Sequence, residues 1–153
     1  MRRSAGLLLF RRTDEGLQVL LGHMGGPFFA RRDRGAWTVP KGEYEADEPA
    51  WEAARREFRE ELGVPPPAGD GALPLGEVRQ SGGKLVTVWA LEADLDPAAI
   101  TPGTFVMEWP PRSGRTQEFP ELDRVAWFSL DRAREVIVTA QTAFLDRLAE
   151  HSA

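Results

Sequence analysis

Apolar residues fall first into short runs and only later into a helical stripe. Ala5 to Phe10, Leu17 to Leu21 and Ala36 to Val39 are brief hydrophobic stretches separated by turn-rich or charged segments, the pattern of strands. Past Pro49 the period changes. Ala50, Ala54, Phe58 and Leu62 recur every four residues, which predicts a helix with one apolar face. VPPPAGDGALP follows; it has a linker's composition, but the flanking pieces are too small to fold alone, so it reads as a loop. Leu85 to Leu91, rich in β-branched and aromatic residues and broken by Glu92 and Asp94, is the strongest strand signal. Phe105 to Met107 and Val125 to Phe128 suggest further strands. Leu130 to Val138 and Thr142 to Glu150 look helical, the last with Phe144, Leu145 and Leu148 as its stripe. Strands, helix, strands, helix is an α/β order, and it predicts a sheet with helices on both sides.

Length and composition narrow the class. At 153 residues and 42% hydrophobic, the chain is sized for a single domain, 1–153, with one sizeable core. A formal charge of -5 argues against a grip on polymeric nucleic acid, which needs a basic face. It leaves room for a local basic pocket and a small anionic ligand. No apolar run is long enough to span a membrane, and MRRSAGLLLFRR reads as a first strand rather than a leader. The absence of cysteine excludes disulfides and thiolate metal sites and fits a cytoplasmic location. A homodimer is compatible with the sequence.

The polar face of the predicted helix carries the chemistry. Glu57, Glu60 and Glu61 stand at i, i+3 and i+4, so three carboxylates share one face within a turn. Like charges so close repel unless a cation sits among them, and Mg²⁺ prefers such oxygen ligands while also binding substrate phosphates. Arg56 is placed to hold neighbouring carboxylates rather than to neutralise the cluster. Asp47 or Glu48 with Pro49 predicts the N-terminal cap and first turn, and Gly63 with Val64 and Pro65 predicts the stop. Gly42, ahead of a polar loop, lets backbone approach an ion or phosphate closely. REFREEL alone would also suit an ordinary salt-bridged helix. Gly42, Glu48 and Gly63 at their offsets argue strongly against that reading.

Gly42, five residues, Glu48, seven residues, then Arg56-Glu57-Phe58-Arg59-Glu60-Glu61-Leu62-Gly63-Val64 resembles the signature box of the Nudix hydrolases, with no departure at its key positions. Those enzymes cleave diphosphate linkages in compounds built from a nucleoside diphosphate and another group. Trp37-Thr38-Val39-Pro40-Lys41-Gly42 is similar to the family's lead-in strand. The resemblance implies an α/β/α sandwich with a mixed central sheet, the box forming a loop-helix-loop. It implies Mg²⁺, with Mn²⁺ able to substitute, held by Glu57, Glu60 and Glu61, by the backbone carbonyl of Lys41, and by a later carboxylate, Glu121 first and Glu118 second. Arg56 and Glu48 would support this geometry, with Glu57 and Glu121 as competing candidates for the base.

Outside the box, Lys41, Lys84, Arg31, Arg32, Arg34, Arg112 and Arg115 are candidate phosphate contacts, Lys41 foremost because it adjoins Gly42. Phe29 and Phe28 are candidates to stack on a base, whereas Trp89 and Trp127 lie in strand runs and read as core. His23 and His151 lack ligand-like companions, so no zinc site is expected. The later strands look similar to the branch acting on dinucleoside polyphosphates and diphosphoinositol polyphosphates. The expected substrate is therefore a dinucleoside polyphosphate. A nucleoside triphosphate or oxidised nucleotide, and a diphosphoinositol polyphosphate, are the alternatives. A nucleotide-sensing module of the same fold would be expected to lack box carboxylates, and all are present here.

Overall fold

In a computed structural model, which describes residues 2–151, the chain is organised around its first strand. β1 (Arg3–Thr13) turns into β2 (Gly16–Met24), and the two pair only near the turn, from Phe10↔Val19 to Thr13↔Gly16. Beyond that they splay apart. β3 (Trp37–Thr38) fills the wedge on the β2 side and β4 (Lys41–Glu43) on the β1 side, with Leu7 N–H donating to Pro40 O at 3.2 Å between them. Gly6 permits this insertion: a Cβ there would lie 2.5 Å from Pro40 O. β6 (Leu85–Glu92) runs parallel to β1 on its other edge, β5 (Leu73–Arg79) is antiparallel to β6, and β9 (Leu122–Ser129) is antiparallel to β2. The seven-stranded sheet is thus mixed, as expected.

Alternation along β1 builds the core on both faces. Ala5, Leu7 and Leu9 join Ala53, Ala54, Phe58 and Leu62 of α1 (Ala50–Leu62) on one side. Leu8 and Phe10 join Ala133 and Val136 of α2 (Leu130–Val136) and Phe144, Leu145 and Leu148 of α3 (Thr142–His151) on the other. The result is the α/β/α sandwich. β7 (Thr104–Glu108) and β8 (Thr116–Pro120) pair only with each other, so Phe105 to Met107 is a strand, but of a separate ribbon.

The ends of α1 differ in how well local rules describe them. Gly63 adopts φ 68 and donates its N–H to Arg59 O at 2.7 Å, the left-handed stop the sequence predicts. At the start neither Asp47 nor Glu48 caps. Pro49 holds the N-cap position without a side-chain bond, because the Glu48 carboxylate is taken by Arg56.

Candidate active site

The turn from β4 into α1 brings the box carboxylates against the end of β1. A cleft of about 410 Å³ is lined by Ser4, Lys41, Gly42, Glu43, Glu57, Glu60, Glu61, Lys84 and Glu121. Residues from β1, β4 and α1, with Lys84 before β6 and Glu121 before β9, therefore meet at one opening. Gly42 owes its identity to packing as much as to freedom: a Cβ there would collide with the Glu57 carboxyl group.

Arg56 organises the carboxylates. Its Nε donates to Glu48 Oε2 at 2.8 Å and Nη2 to Glu48 Oε1 at 2.9 Å, a two-point grip. Nη1 donates to Glu57 Oε1 at 2.8 Å and to both Glu60 oxygens at 3.1 Å. The paired Arg56 holds the Glu48 carboxyl below its ordinary range, and Glu48 in turn holds the guanidinium firmly protonated. Glu57 is only 8% exposed, and burial raises its carboxyl despite Arg56.

Glu61 lies beyond the reach of this arginine. Burial, then the charges of Glu121 and Glu57, push its carboxyl up to about 8, and its Oε2 is buried with no hydrogen-bond partner. Ser4 Oγ, in the same cleft, is likewise unpaired. Burial lowers the Lys41 ammonium to about 8, with Lys84 adding to the effect. Glu121 is also raised by burial. Its backbone is clamped, the N–H donating to Gly103 O at 2.7 Å and the carbonyl accepting from Gly25 N–H at 2.9 Å. Gly103 can approach because a Cβ there would lie 2.6 Å from Glu60 O. The segment at 101–103 thus ties the end of α1 to Glu121, a link that no sequence motif announces.

These features suit a divalent cation. Two buried oxygens lack partners, and a cluster of carboxylates is held at unfavourable charge. Among the described residues no three ligating side chains form a preformed cage. Mg²⁺ does not need one, since it binds through one or two carboxylates and takes waters and substrate phosphates for the rest. Glu57, Glu60 and Glu61 are the groups available to hold it, with Glu121 across the cleft.

Other candidates fall elsewhere. Arg31 and Arg34 are exposed in the loop after β2, and Arg112 sits in the β7–β8 turn at φ 62, its N–H donating to Glu108. None lines the carboxylate cleft. Phe29 packs against the core on the α2 and α3 side, so the exposed ring is Phe28, edge-on to Trp109. Glu118 lies on exposed β8. His23 is buried between Asp123, 3.0 Å from its Nδ1, and the carbonyl of Arg32, 2.6 Å from its Nε2; it braces the fold. Ser4 and Glu43, which no sequence motif marks, line the cleft because β1 and β4 pair there. Gln141 does not line the cleft, but its buried amide oxygen accepts from Val39 N–H at 3.0 Å and so helps to set the lead-in strand.

Glu61 and Lys41, the groups shifted to about 8, predict a stability profile for the metal-free protein. Between pH 4.5 and about 8 the folded chain keeps a proton on Glu61 that the unfolded chain has lost, so stability falls as pH rises. Between about 8 and 10.5 the unfolded chain keeps a proton on Lys41 that the folded chain has lost, so stability rises again. Urea unfolding in EDTA should show a minimum near pH 8, on the order of 2 kcal/mol below pH 6. Glu61→Gln should flatten the acid-side limb; an unchanged limb refutes the assignment.

Comparison with known proteins agrees with this geometry. No curated protein matches the chain at a significant level. Among solved structures, a C. elegans Ap4A hydrolase binary complex superposes with a TM-score of 0.66 at 21% identity, over 99% of this chain and 98% of that one. The NUDIX domain of Shewanella oneidensis NrtR complexed with ADP ribose gives 0.66 at 18%, over 99% and 88%. The MutT protein of Methanosarcina mazei Go1 gives 0.66 at 19%, over 99% and 94%. At these identities the likeness establishes the fold. A family model for the NUDIX domain matches residues 1–148, and with every carboxylate of the signature box present, the chain belongs to the Nudix family of pyrophosphohydrolases.

Proposed function

We propose that this chain, acting as one domain over 1–153 in the cytoplasm, is a Mg²⁺-dependent hydrolase of dinucleoside polyphosphates. The observation that carries the reading is the mixed charge of one cleft: Lys41 and Lys84 line it together with Glu57, Glu60, Glu61 and Glu121. A phosphate chain laid in it meets both cations and a carboxylate cluster able to hold an ion. The fold shared with an Ap4A hydrolase supports the same substrate class. A divalent ion held there by Glu57, Glu60 and Glu61, with the Lys41 backbone carbonyl and Glu121 as further ligands, would neutralise diphosphate charge and acidify water.

The chain's own groups supply the remainder. Arg56, braced by Glu48, keeps Glu57 and Glu60 turned towards the cleft. Lys41 and Lys84 draw the phosphate chain over the carboxylates. Glu57 and Glu121, both with carboxyls raised by burial, are each suited to accept a proton from the attacking water. Within the carboxylate cleft the phosphate contacts fall to Lys41 and Lys84, since Arg31, Arg34 and Arg112 lie off it.

Comparison of kcat/KM should favour diadenosine tetraphosphate over ATP by about tenfold or more, equivalent to a single added phosphate contact. Hydrolysis in ¹⁸O-water should place the label on a phosphate inside the chain. A preference for ATP, an oxidised nucleotide or a diphosphoinositol polyphosphate would overturn the substrate class and leave the chemistry intact.

A further inference from the structure

The outward face of α1 carries features that the carboxylate cleft does not use. At its first turn, half-buried Trp51 meets Trp89 of β6 edge-on, ring centroids 5.3 Å apart. These two rings, with Gly69, Asp70, Gly71 and Ala72, line an open cleft of about 450 Å³. The loop lies flush against the indole, for a Cβ on Gly69 would be 2.6 Å from the Trp51 ring. One turn along, Arg55 places its guanidinium carbon 5.5 Å from the Trp51 ring centroid and donates from Nη1 to Pro67 O at 2.8 Å. Its other N–H donors stay available.

A second cleft of about 280 Å³ begins there, lined by Arg55, Arg56, Arg59, Glu60 and Pro66. Arg56 is committed to its carboxylates, but Arg59 has no ion-pair partner among the described residues. Glu60 belongs to both this cleft and the carboxylate cleft. Residues 51, 55 and 59 follow the i, i+4, i+8 line, so an indole and two guanidinium groups succeed one another along one side of the helix, and Glu60, which lines the second cleft beside Arg55 and Arg59, leads round to the carboxylate cleft. From Trp51 to Glu60 the axis advances about 14 Å.

We propose that this track binds the distal nucleotide of the substrate, its base against Trp51 and Trp89 and its phosphates across Arg55 and Arg59. The inference rests on the polyphosphate reading above. The order of chemistry along the helix matches the order of parts in a nucleoside diphosphate. An aromatic wall takes the base, a carboxylate at Asp70 accepts from a ring or exocyclic N–H, and the free N–H donors of Arg55 and Arg59 take phosphate oxygens. The track ends at Glu60, so the next phosphate arrives over the ion site. Stacking and guanidinium contacts far from the scissile bond then position it.

ADP titration of the full-length protein in EDTA separates this idea from the hydrolytic one, because it needs neither metal nor turnover. In a ¹H–¹⁵N spectrum, ADP should shift the indole signals of Trp51 and Trp89, two of the five tryptophans, and leave Trp37 in place. Trp51→Leu should weaken ADP about tenfold while pyrophosphate binding stays within about twofold. Arg59→Gln should weaken both ligands about tenfold. Trp51→Phe, which keeps an aromatic ring, should retain most ADP affinity and guards against a folding artefact. No ADP binding by wild type at millimolar concentration, or Arg59→Gln and Trp51→Leu both within about twofold of wild type, overturns the track. Hydrolysis of diadenosine tetraphosphate by the same wild-type preparation reports separately on the proposed function.

Discussion

Replacing Glu61 by Gln is expected to abolish most turnover, roughly 10³-fold or more in kcat, while the protein remains folded. Gln keeps the shape of the side chain and removes the charge. Glu61 is where that charge matters most: its Oε2 is buried without a partner, and Arg56 reaches Glu48, Glu57 and Glu60 but not Glu61. A carboxyl pushed up to about 8 is largely neutral at pH 7 unless a cation offsets its charge. Cation binding at neutral pH should therefore release a proton, measurable as a buffer-dependent heat in calorimetry. Glu61→Gln should lose both that proton and the turnover. Because the substitution also removes a poorly solvated carboxylate, the metal-free variant should unfold at equal or higher urea than wild type at pH 8. Activity within about tenfold of wild type would refute the role of Glu61.

The sequence made α1 and its chemistry legible because the required signals are local. Glu57, Glu60 and Glu61 share a face by helical spacing alone, and the αL stop at Gly63 follows from residue type. Other parts depend on distant partners. β5 escaped notice because LPLGEVR carries a proline and a glycine, which the structure accommodates at an edge, with Gly76 at φ 74 and the register shifting between Pro74 and Glu77. β8, TQEFP, is mostly exposed and lacks apolar alternation. The expected cap at Asp47 or Glu48 failed because a bidentate arginine eight residues on outcompetes a helix N–H for the Glu48 carboxylate. Phe28 and Phe29 are indistinguishable by composition, and only burial separates the exposed ring from the packed one. Ser4, Glu43 and Gln141 owe their positions to strand pairing and interlayer contact, which one chain's pattern does not encode.

Chelation should remove activity altogether, because the cleft's own charges oppose its substrate. Among the described residues, Glu43, Glu57, Glu60, Glu61 and Glu121 line it against Lys41 and Lys84. Lys41 is itself weakened, since burial lowers its ammonium to about 8. At pH 8.5, just above the value of about 8 that both groups reach, the Glu61 carboxyl is mainly ionised while the Lys41 ammonium is mainly neutral, so a polyphosphate without cations meets net repulsion at the reacting bond. Excess EDTA should then leave less than about one part in 10³ of the activity, and added Mg²⁺ or Mn²⁺ should restore it. Ca²⁺ should restore little. It seeks six to eight oxygen ligands at about 2.3–2.6 Å, whereas carboxylates anchored on one helix, with Glu57 and Glu60 held by Arg56, favour a small octahedral ion. A steady-state assay at pH 8.5 across the three metals, with ADP binding followed in the same EDTA buffer, decides the matter. Undiminished hydrolysis in EDTA would require the lysines and Arg56 alone to stabilise the reaction and would end the metal reading of the carboxylate cluster.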